Sequence, residues 1–525
     1  MTMITLQEEN GKIVLVSKGD GTPGILHYGS YLTVEDEKLG KKFILRIEES
    51  YQSTSFSISP MLVDMDISPL TEDQRLKNIV KASRVAELPP RNDGMSSYIK
   101  PLTTARLSNQ EEIDYAFGNS TGVPIFPATA YSRNCQILKD ENGRALQAKI
   151  PDDVFFHQIL ITGATGSGKT VAMKYLAQYF VENLKDEKGF PGAVLAVNVK
   201  EEDLLYLDKA TTNYSGSDKK EWDDLGLEPH GVGSFRVYYT GNKMPNYTSK
   251  VDRSKCESIT LKVKNLEPDN LSGLLPNLTL HGSEQLPNIF RHWQSNVMKQ
   301  NDTIKQFISY FDDPEKNREF EVLTANGDKY RYKINAGTYA SIKTALQLSS
   351  DYFDNENSKE LDVKDILVRR KISVIDVSQK KGMGFGAVLL RDILDKIYRA
   401  KNESKIDVPV LLIIDEVHEF YGNARSKEAL ETLDAIARKG RSLSIGVIFA
   451  SQNPEDIPSG ISKVVNSQIS FKGAMGKINI KSQFFDPEGL SSGFAVSKIH
   501  GLSQIKLVKF PLTLGGLFIE QKRRN

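Results

Sequence analysis

The stretch Gln158-Ile159-Leu160-Ile161-Thr162-Gly163-Ala164-Thr165-Gly166-Ser167-Gly168-Lys169-Thr170 decides the fold. Its first five residues read as a short buried strand. A glycine-rich loop follows at once. Then comes a helix pattern with apolar positions at Ala172, Tyr175, Leu176, Tyr179 and Phe180. Residues 163–170 match G-x-x-x-x-G-K-[ST] without deviation. The glycines let the backbone curl so that successive N–H groups point at a β-phosphate. The helix start offers the positive end of its dipole to the same anion. Lys169 reaches the β- and γ-phosphates as a point charge, and the Thr170 hydroxyl ligates Mg²⁺. The nucleotide set is therefore Gly163, Ala164, Thr165, Gly166, Ser167, Gly168, Lys169, Thr170 and Val171. A turn that binds nothing is the bland alternative. The strand before the loop and the helix after it argue against that alternative.

Three further segments carry chemistry. Val410–Ile414 is a fully apolar strand that ends in Asp415-Glu416. Ligands of open α/β sheets bind at such C-terminal strand ends. Asp415 would hold Mg²⁺ there, and Glu416 would orient and polarise an attacking water. Val447–Ala450 then leads to Ser451-Gln452. The Gln452 amide can hydrogen-bond both a γ-phosphate and a water. Its strand should neighbour that of Asp415. Between these two lies Ala437-Arg438-Lys439-Gly440-Arg441. On residue chemistry it reads equally as an arginine finger and as helix-terminal charges before a glycine cap.

Outward from the loop, strand candidates at Ala193–Val197, Ile372–Val377, Val408–Ile414, Ile445–Ala450 and Ile469–Phe471 alternate with helix patterns. That is an α/β chain with a parallel sheet. The span from about 201 to 370 is too long for one crossover. It contains a strand at Phe235–Tyr239, helical stretches at Leu286–Phe311 and Ala340–Tyr352, and a hairpin at Glu321–Ile334 around Asn326-Gly327. Upstream, Ile13–Val16, Gly29–Val34 and Phe43–Ile47 read as strands of a small barrel or sandwich. Thr71 and Gln74 form a capping box for a helix with apolar positions Leu76, Ile79, Val80 and Ala82, ended by Pro89-Pro90. Residues from 91 to about 150 read as loops and short strands.

Composition sets limits. The 525 residues carry 68 Lys plus Arg against 67 Asp plus Glu, a net charge of +1. A globally basic nucleic-acid coat is excluded, so any DNA contact must be local. Cys135 and Cys256 make neither a disulfide framework nor a zinc spacing. A reducing, cytoplasmic setting is the expectation. No run of 18 apolar residues occurs and the first residues lack a signal-peptide core, so no membrane span is expected.

Taken together, GATGSGKT at 163–170, LLIIDEVHEF at 411–420 and ARKGRSLSIGVIFASQNPEDIP at 437–458 resemble the HerA-type branch of the HerA–FtsK superfamily of P-loop ATPases. The likeness is strongest over about 153–200 and 370–470. It implies a RecA-like core over 151–484 with a mainly helical insertion at about 201–370. It also implies a β-barrel domain over 1–150 and a tail at 485–525 that braces a neighbouring subunit. It further implies a homohexamer pumping double-stranded DNA, with ATP and Mg²⁺ at each interface. A finger would then come in trans, from Arg441 or, second, Arg438. Relatives work with a NurA-type nuclease or beside effectors of antiviral defence. No nuclease constellation is visible in this chain. A ring scaffold that controls an effector is the alternative function. A conjugative coupling protein is a further P-loop alternative, set aside for want of membrane spans. Asn198-Val199-Lys200-Glu201-Glu202-Asp203 departs from the family's Asp-Pro-His-Gly type of sequence. His418 reads as packed or hydrogen-bonded rather than catalytic. The stretch from Lys380 to Gly386 reads as a solvated loop before a DNA-touching one.

Overall fold

Alternating apolar positions build the N-terminal unit. In the computed structural model, β1 (Met3–Glu9), β2 (Lys12–Ser17), β3 (Tyr31–Asp36), β4 (Lys41–Thr54), β5 (Leu76–Leu88) and β6 (Thr104–Leu107) close into a barrel. The strand order is β1-β2-β5-β4-β3-β6. Every second residue, such as Ile13 and Leu15 or Phe43, Leu45 and Ile47, fills the interior. Closure removes open edges. The structure describes residues 3–17, 28–54, 76–90, 97–118, 121–131, 134–186, 189–241, 243–274, 280–378, 383–421, 435–436, 438–453, 455, 457, 462–473, 490–502 and 505–518.

Where a helix is expected after Thr71, the chain forms a strand from Leu76 on. Thr71 and Gln74 lie outside the described residues, and Leu76, Ile79, Val80 and Ala82 belong to β5. That strand pairs with β2 along one side and β4 along the other. Two ladders of backbone bonds outweigh a weak helical periodicity. A helix instead appears within 91–150, at α1 (Gln110–Phe117). Asn109 caps it, and Glu112 returns a bond to the Asn109 backbone. Glu112 also accepts from Thr33 and Arg106, which pins the helix to the barrel.

Beyond the barrel, β7 (Val123–Tyr131), β8 (Asn134–Ile137) and β9 (Ala148–Ile150) join the second sheet instead of the first. The core begins with β10 (Ile159–Thr162), α2 (Lys169–Glu182) and β11 (Ala193–Asn198). The insertion contributes α3 (Gly216–Leu225), β12 (Ser234–Thr240), β13 (Cys256–Thr260), α4 (Leu280–Asn296) and α5 (Ile304–Phe311). It continues with the hairpin β14 (Glu319–Leu323) and β15 (Lys329–Lys333), then α6 (Ala336–Ser349) and β16 (Lys359–Glu360). The chain returns through β17 (Lys371–Asp376), α7 (Met383–Asn402), β18 (Val410–Ile414), β19 (Ile445–Ser451) and β20 (Ser467–Phe471). It closes with β21 (Phe494–Lys498) and β22 (Leu507–Lys509).

The large sheet runs β16-β13-β12-β17-β11-β18-β19-β10-β20-β21-β22-β7-β8, with β9 paired to β7. Strands β16 through β20 in that order are parallel. The rest are antiparallel. One strand, β19, separates β10 from β18, as in a RecA-like P-loop core. Side chains alternate between two apolar layers. Val410, Leu412 and Ile414 face one layer, and Leu411 and Ile413 face the other. Helix α2 covers the second layer through Ala172, Met173, Leu176 and Phe180. The first is covered by α7 together with insertion residues such as Phe290, Trp293 and Phe307. The insertion is therefore not a separate helical block. Its strands β12, β13 and β16 widen the sheet, and its aromatic residues complete the core.

The C-terminal residues also fold onto this chain. Strands β21 and β22 lie between β20 and β7. Farther on, the carbonyl of Gly516 accepts from Lys174 Nζ at 2.8 Å. Lys174 is 1% exposed, lies over the Tyr206 ring, and burial pushes its pKa down to about 8. The unfolded chain keeps this proton up to the ordinary lysine value. Above about pH 8 it therefore holds a proton that the native state has lost, and native stability rises with pH. Lys174→Met lacks this term. From pH 8 to 9.5 the wild-type unfolding midpoint should gain on that of the variant, by the equivalent of up to about 2 kcal/mol. Parallel pH profiles of the two midpoints would show that the ammonium is solvated.

Candidate nucleotide site

Parallel strands bring the sequence motifs to one edge. Thr162, the last residue of β10, pairs with Ser451 of β19, and Phe449 pairs with Ile414 of β18. The loop after β10, the acid pair after β18 and Gln452 after β19 therefore leave the sheet together. The loop needs its glycines at two close approaches. Gly163 has φ +155°, and a Cβ there would stand 2.6 Å from Ser167 Oγ and 2.8 Å from Phe471 Cβ. Gly168 has φ +114°, and its Cβ would meet the Gly493 backbone at 3.0 Å.

The loop is braced from the side by segments that the sequence patterns did not single out. Ala164 N donates to Lys472 O at 2.8 Å, and Gly493 N donates to Ser167 O at 3.0 Å. Ser492 Oγ donates to Gly166 O at 3.2 Å. No local signal marks these residues, because their partners lie some 300 positions away in sequence.

The charges are buried. Lys169, Asp415 and Glu416 are 7%, 7% and 6% exposed. Lys169 Nζ donates to Gly163 O. Burial lowers its pKa, against the pull of Glu416 and Asp415, and Lys200 lowers it further. Asp415 is pushed up to about 6, first by burial and then by the Glu416 charge. Glu416 sits at φ +44°, a left-handed conformation for a residue with a side chain. Such strain costs on the order of 1–3 kcal/mol and persists where the surroundings over-determine it. Its N–H donates to Asp415 Oδ1 at 2.9 Å.

Three polar side chains surround the Glu416 carboxylate. Lys200 Nζ lies 3.0 Å from Oε1, and Gln452 Nε2 lies 3.5 Å from the same oxygen. His418 Nδ1 is 3.3 Å from Oε2 and 3.3 Å from Ser451 Oγ. Among the described residues, buried Ser167 Oγ and Glu416 Oε2 have no hydrogen-bond partner. These features fit a polyphosphate with a divalent cation: an orphaned hydroxyl in the loop, a buried ammonium, and a carboxyl whose charge burial disfavours. Thr170 and Asp415 are the residues that would hold the cation, which supplies charge neutralisation between phosphate oxygens.

Arg438 and Arg441 are exposed and lie apart from this edge. They precede β19, whose seven residues separate them from Gln452 by about 20 Å. Arg441 instead acts electrostatically on His157, at the opposite end of β10 from Gly163. In the segment after β11, Asn198 Nδ2 bonds Asp376 Oδ1 at 3.0 Å, and the Tyr247 hydroxyl bonds Asp376 Oδ2 at 2.7 Å. Residues 380–382 of the basic stretch lie outside the described residues, and Met383 opens α7.

No protein-family model matches the chain. It is similar to the DNA double-strand break repair helicase HerA of Saccharolobus solfataricus, 27% identical over 116 residues. The HerA of Sulfurisphaera tokodaii is 30% identical over 116 residues. Each alignment takes in 21% of this chain and 23% of the relative, so less than a quarter of each relative is matched. Among solved structures, VirB4 of Thermoanaerobacter pseudethanolicus is 12% identical, with TM-score 0.44 over 75% of this chain and 96% of that one. The bacterial conjugative coupling protein TrwB lacking its first 70 residues is 10% identical, with TM-score 0.47 over 82% of this chain and 97% of that one. Among the described residues no helix is long and apolar enough to cross a membrane.

The close approaches at Gly163 make a direct prediction. Gly163→Val should displace Ser167 or Phe471 and weaken binding of a fluorescent ATP analogue by at least about tenfold, while the far-ultraviolet circular dichroism stays unchanged. Undiminished binding would mean that the loop is not the phosphate site.

Proposed function

We propose that the chain is an ATP-hydrolysing motor of HerA type that assembles as a ring, a hexamer by the resemblance, and moves double-stranded DNA. The observation that carries this reading is the division of the site across the sheet. Lys169, Thr170, Asp415, Glu416 and Gln452 stand at one edge, while Arg438 and Arg441 stand at the other. A finger so placed cannot reach its own subunit's phosphates. It can serve a neighbour if copies pack edge to edge around an axis.

In this reading Lys169 and the loop amides hold the β- and γ-phosphates. Glu416 takes up the proton of the attacking water, and Gln452 orients that water toward the γ-phosphate. A neighbour's Arg441 spreads positive charge over the transferring oxygens through its planar fork. The partial HerA similarity supports the DNA substrate, and the near-neutral charge keeps its contacts local. Cleavage would come from a separate NurA-like nuclease or a defence effector. The second reading is a ring scaffold in which ATP controls such an effector without processive movement.

Three experiments test this. Lys169→Ala and Glu416→Gln should each reduce ATP turnover by 100-fold or more, roughly the loss expected for a phosphate-binding cation or a water-orienting base. Mixing Lys169→Ala with Arg441→Ala subunits should restore turnover that neither has alone, because one supplies an intact loop and the other an intact finger. Failure of the mixture to recover, with rings formed, would remove the trans finger. Stimulation of turnover by linear duplex DNA that steepens as salt falls favours the motor. Response to a protein partner alone favours the scaffold.

A further inference from the structure

Lys200 has no role in the reading above, yet its ammonium lies 3.0 Å from Oε1 of the Glu416 carboxylate. It comes from the turn after β11, the strand that pairs directly with β18. The neighbouring side chain is anchored: Asn198 Nδ2 bonds both the Glu201 carbonyl at 2.8 Å and Asp376 at 3.0 Å. The Lys200 side chain itself is 44% exposed, whereas that of Glu416 is 8% exposed. A half-exposed cation thus sits on a buried carboxylate. The same cation lies within the electrostatic reach of Lys169, the residue that addresses phosphate.

Two ligands can compete for this ammonium. One is the single charge of Glu416. The other is a γ-phosphate placed between Lys169 and Glu416, with more charge and three acceptor oxygens. We propose that Lys200 is a positioning residue that pairs with Glu416 while no γ-phosphate is present and transfers to the γ-phosphate when a nucleoside triphosphate binds. The transfer releases Oε1 to accept a hydrogen bond from water. Gln452 Nε2, 3.5 Å from the same oxygen, is placed to orient that water. A nucleoside diphosphate has no group at that position and leaves the pair closed. No bond is made or broken in the step. The inference rests on the nucleotide reading of the site and gives it a mechanism for telling triphosphate from diphosphate.

A double-mutant cycle on the full-length chain tests it, with binding of ATPγS and of ADP as the readout. In the wild-type background Lys200 gives up one partner to gain another, so Lys200→Ala should weaken ATPγS binding less than threefold. In the Glu416→Gln background Lys200 has no competing partner, and its removal should weaken ATPγS binding about tenfold. Lys200→Arg should behave as wild type, and ADP binding should not respond in either background. Equal losses in both backgrounds, or equal effects on ADP, would overturn the transfer. Absence of nucleotide binding by the wild-type chain would instead overturn the site reading itself, and the transfer with it. Thermal unfolding of each variant identifies any that are misfolded, and Lys200→Met then replaces Lys200→Ala in the cycle.

Discussion

The structure turns on a desolvated cluster of opposite charges. Lys169, Asp415 and Glu416 are nearly buried and lie within electrostatic reach of one another. Asp415 and Glu416 repel each other across one peptide unit, which helps to raise the Asp415 pKa to about 6. Buried charges of this kind are costly unless paired. The fold meets the cost with rigid elements. The three residues hang from β10 and β18, which lie in the middle of the large sheet with apolar layers on both faces. A strained backbone at Glu416 and a glycine-lined loop persist because the strands on either side leave no slack. Pre-organised charge held in a dry site is what phosphoryl chemistry needs.

The insertion shows how such a sheet is kept dry. Its helices do not stand apart from the core. Phe290, Trp293, Phe307, Phe311 and Phe320 pack with Val388, Leu390 and Ile393 of α7 over the face opposite α2. An isolated helical subdomain would leave that face open. Building the cover into a long insertion lets the parallel strands alternate between two hydrophobic layers, which is why they read as continuous apolar runs.

What the sequence disclosed follows from the range of the interactions involved. The phosphate loop is eight consecutive residues, and its chemistry is local. The parallel strands announce themselves because both faces are buried, as in Val410–Ile414. The hairpin around Asn326-Gly327 is likewise local, with Gly327 at φ +90°. Residues 76–82 are ambiguous by local pattern, since Leu76, Ile79 and Val80 fit a helix while the barrel makes them a strand with partners on both sides. The pattern of one segment cannot reveal which other segments bond to it. Asn109 and Glu112 did carry a legible capping box, so α1 was within reach of local rules. Lys200 was not. Its partner Glu416 lies 216 positions away, and only the pairing of β11 with β18 brings them together.

The C-terminal segment joins these themes. The resemblance casts it as a brace for a neighbouring subunit, and its described residues as far as Phe518, which packs on Tyr206, also engage their own chain. Ser492 and Gly493 bond the phosphate loop at Gly166 and Ser167. Farther along, Gly516 holds Lys174, one turn into the helix that the loop begins. The segment therefore grips the loop and the first turns of α2 at two points, with β21 and β22 between them. Closely packed parts cannot shift independently. A displacement of the loop must be shared with β21 and β22, and through β22 with β7, the strand that leads back toward the barrel. The nucleotide edge is thus joined by a continuous hydrogen-bonded sheet to β7, the strand that follows α1 in the chain.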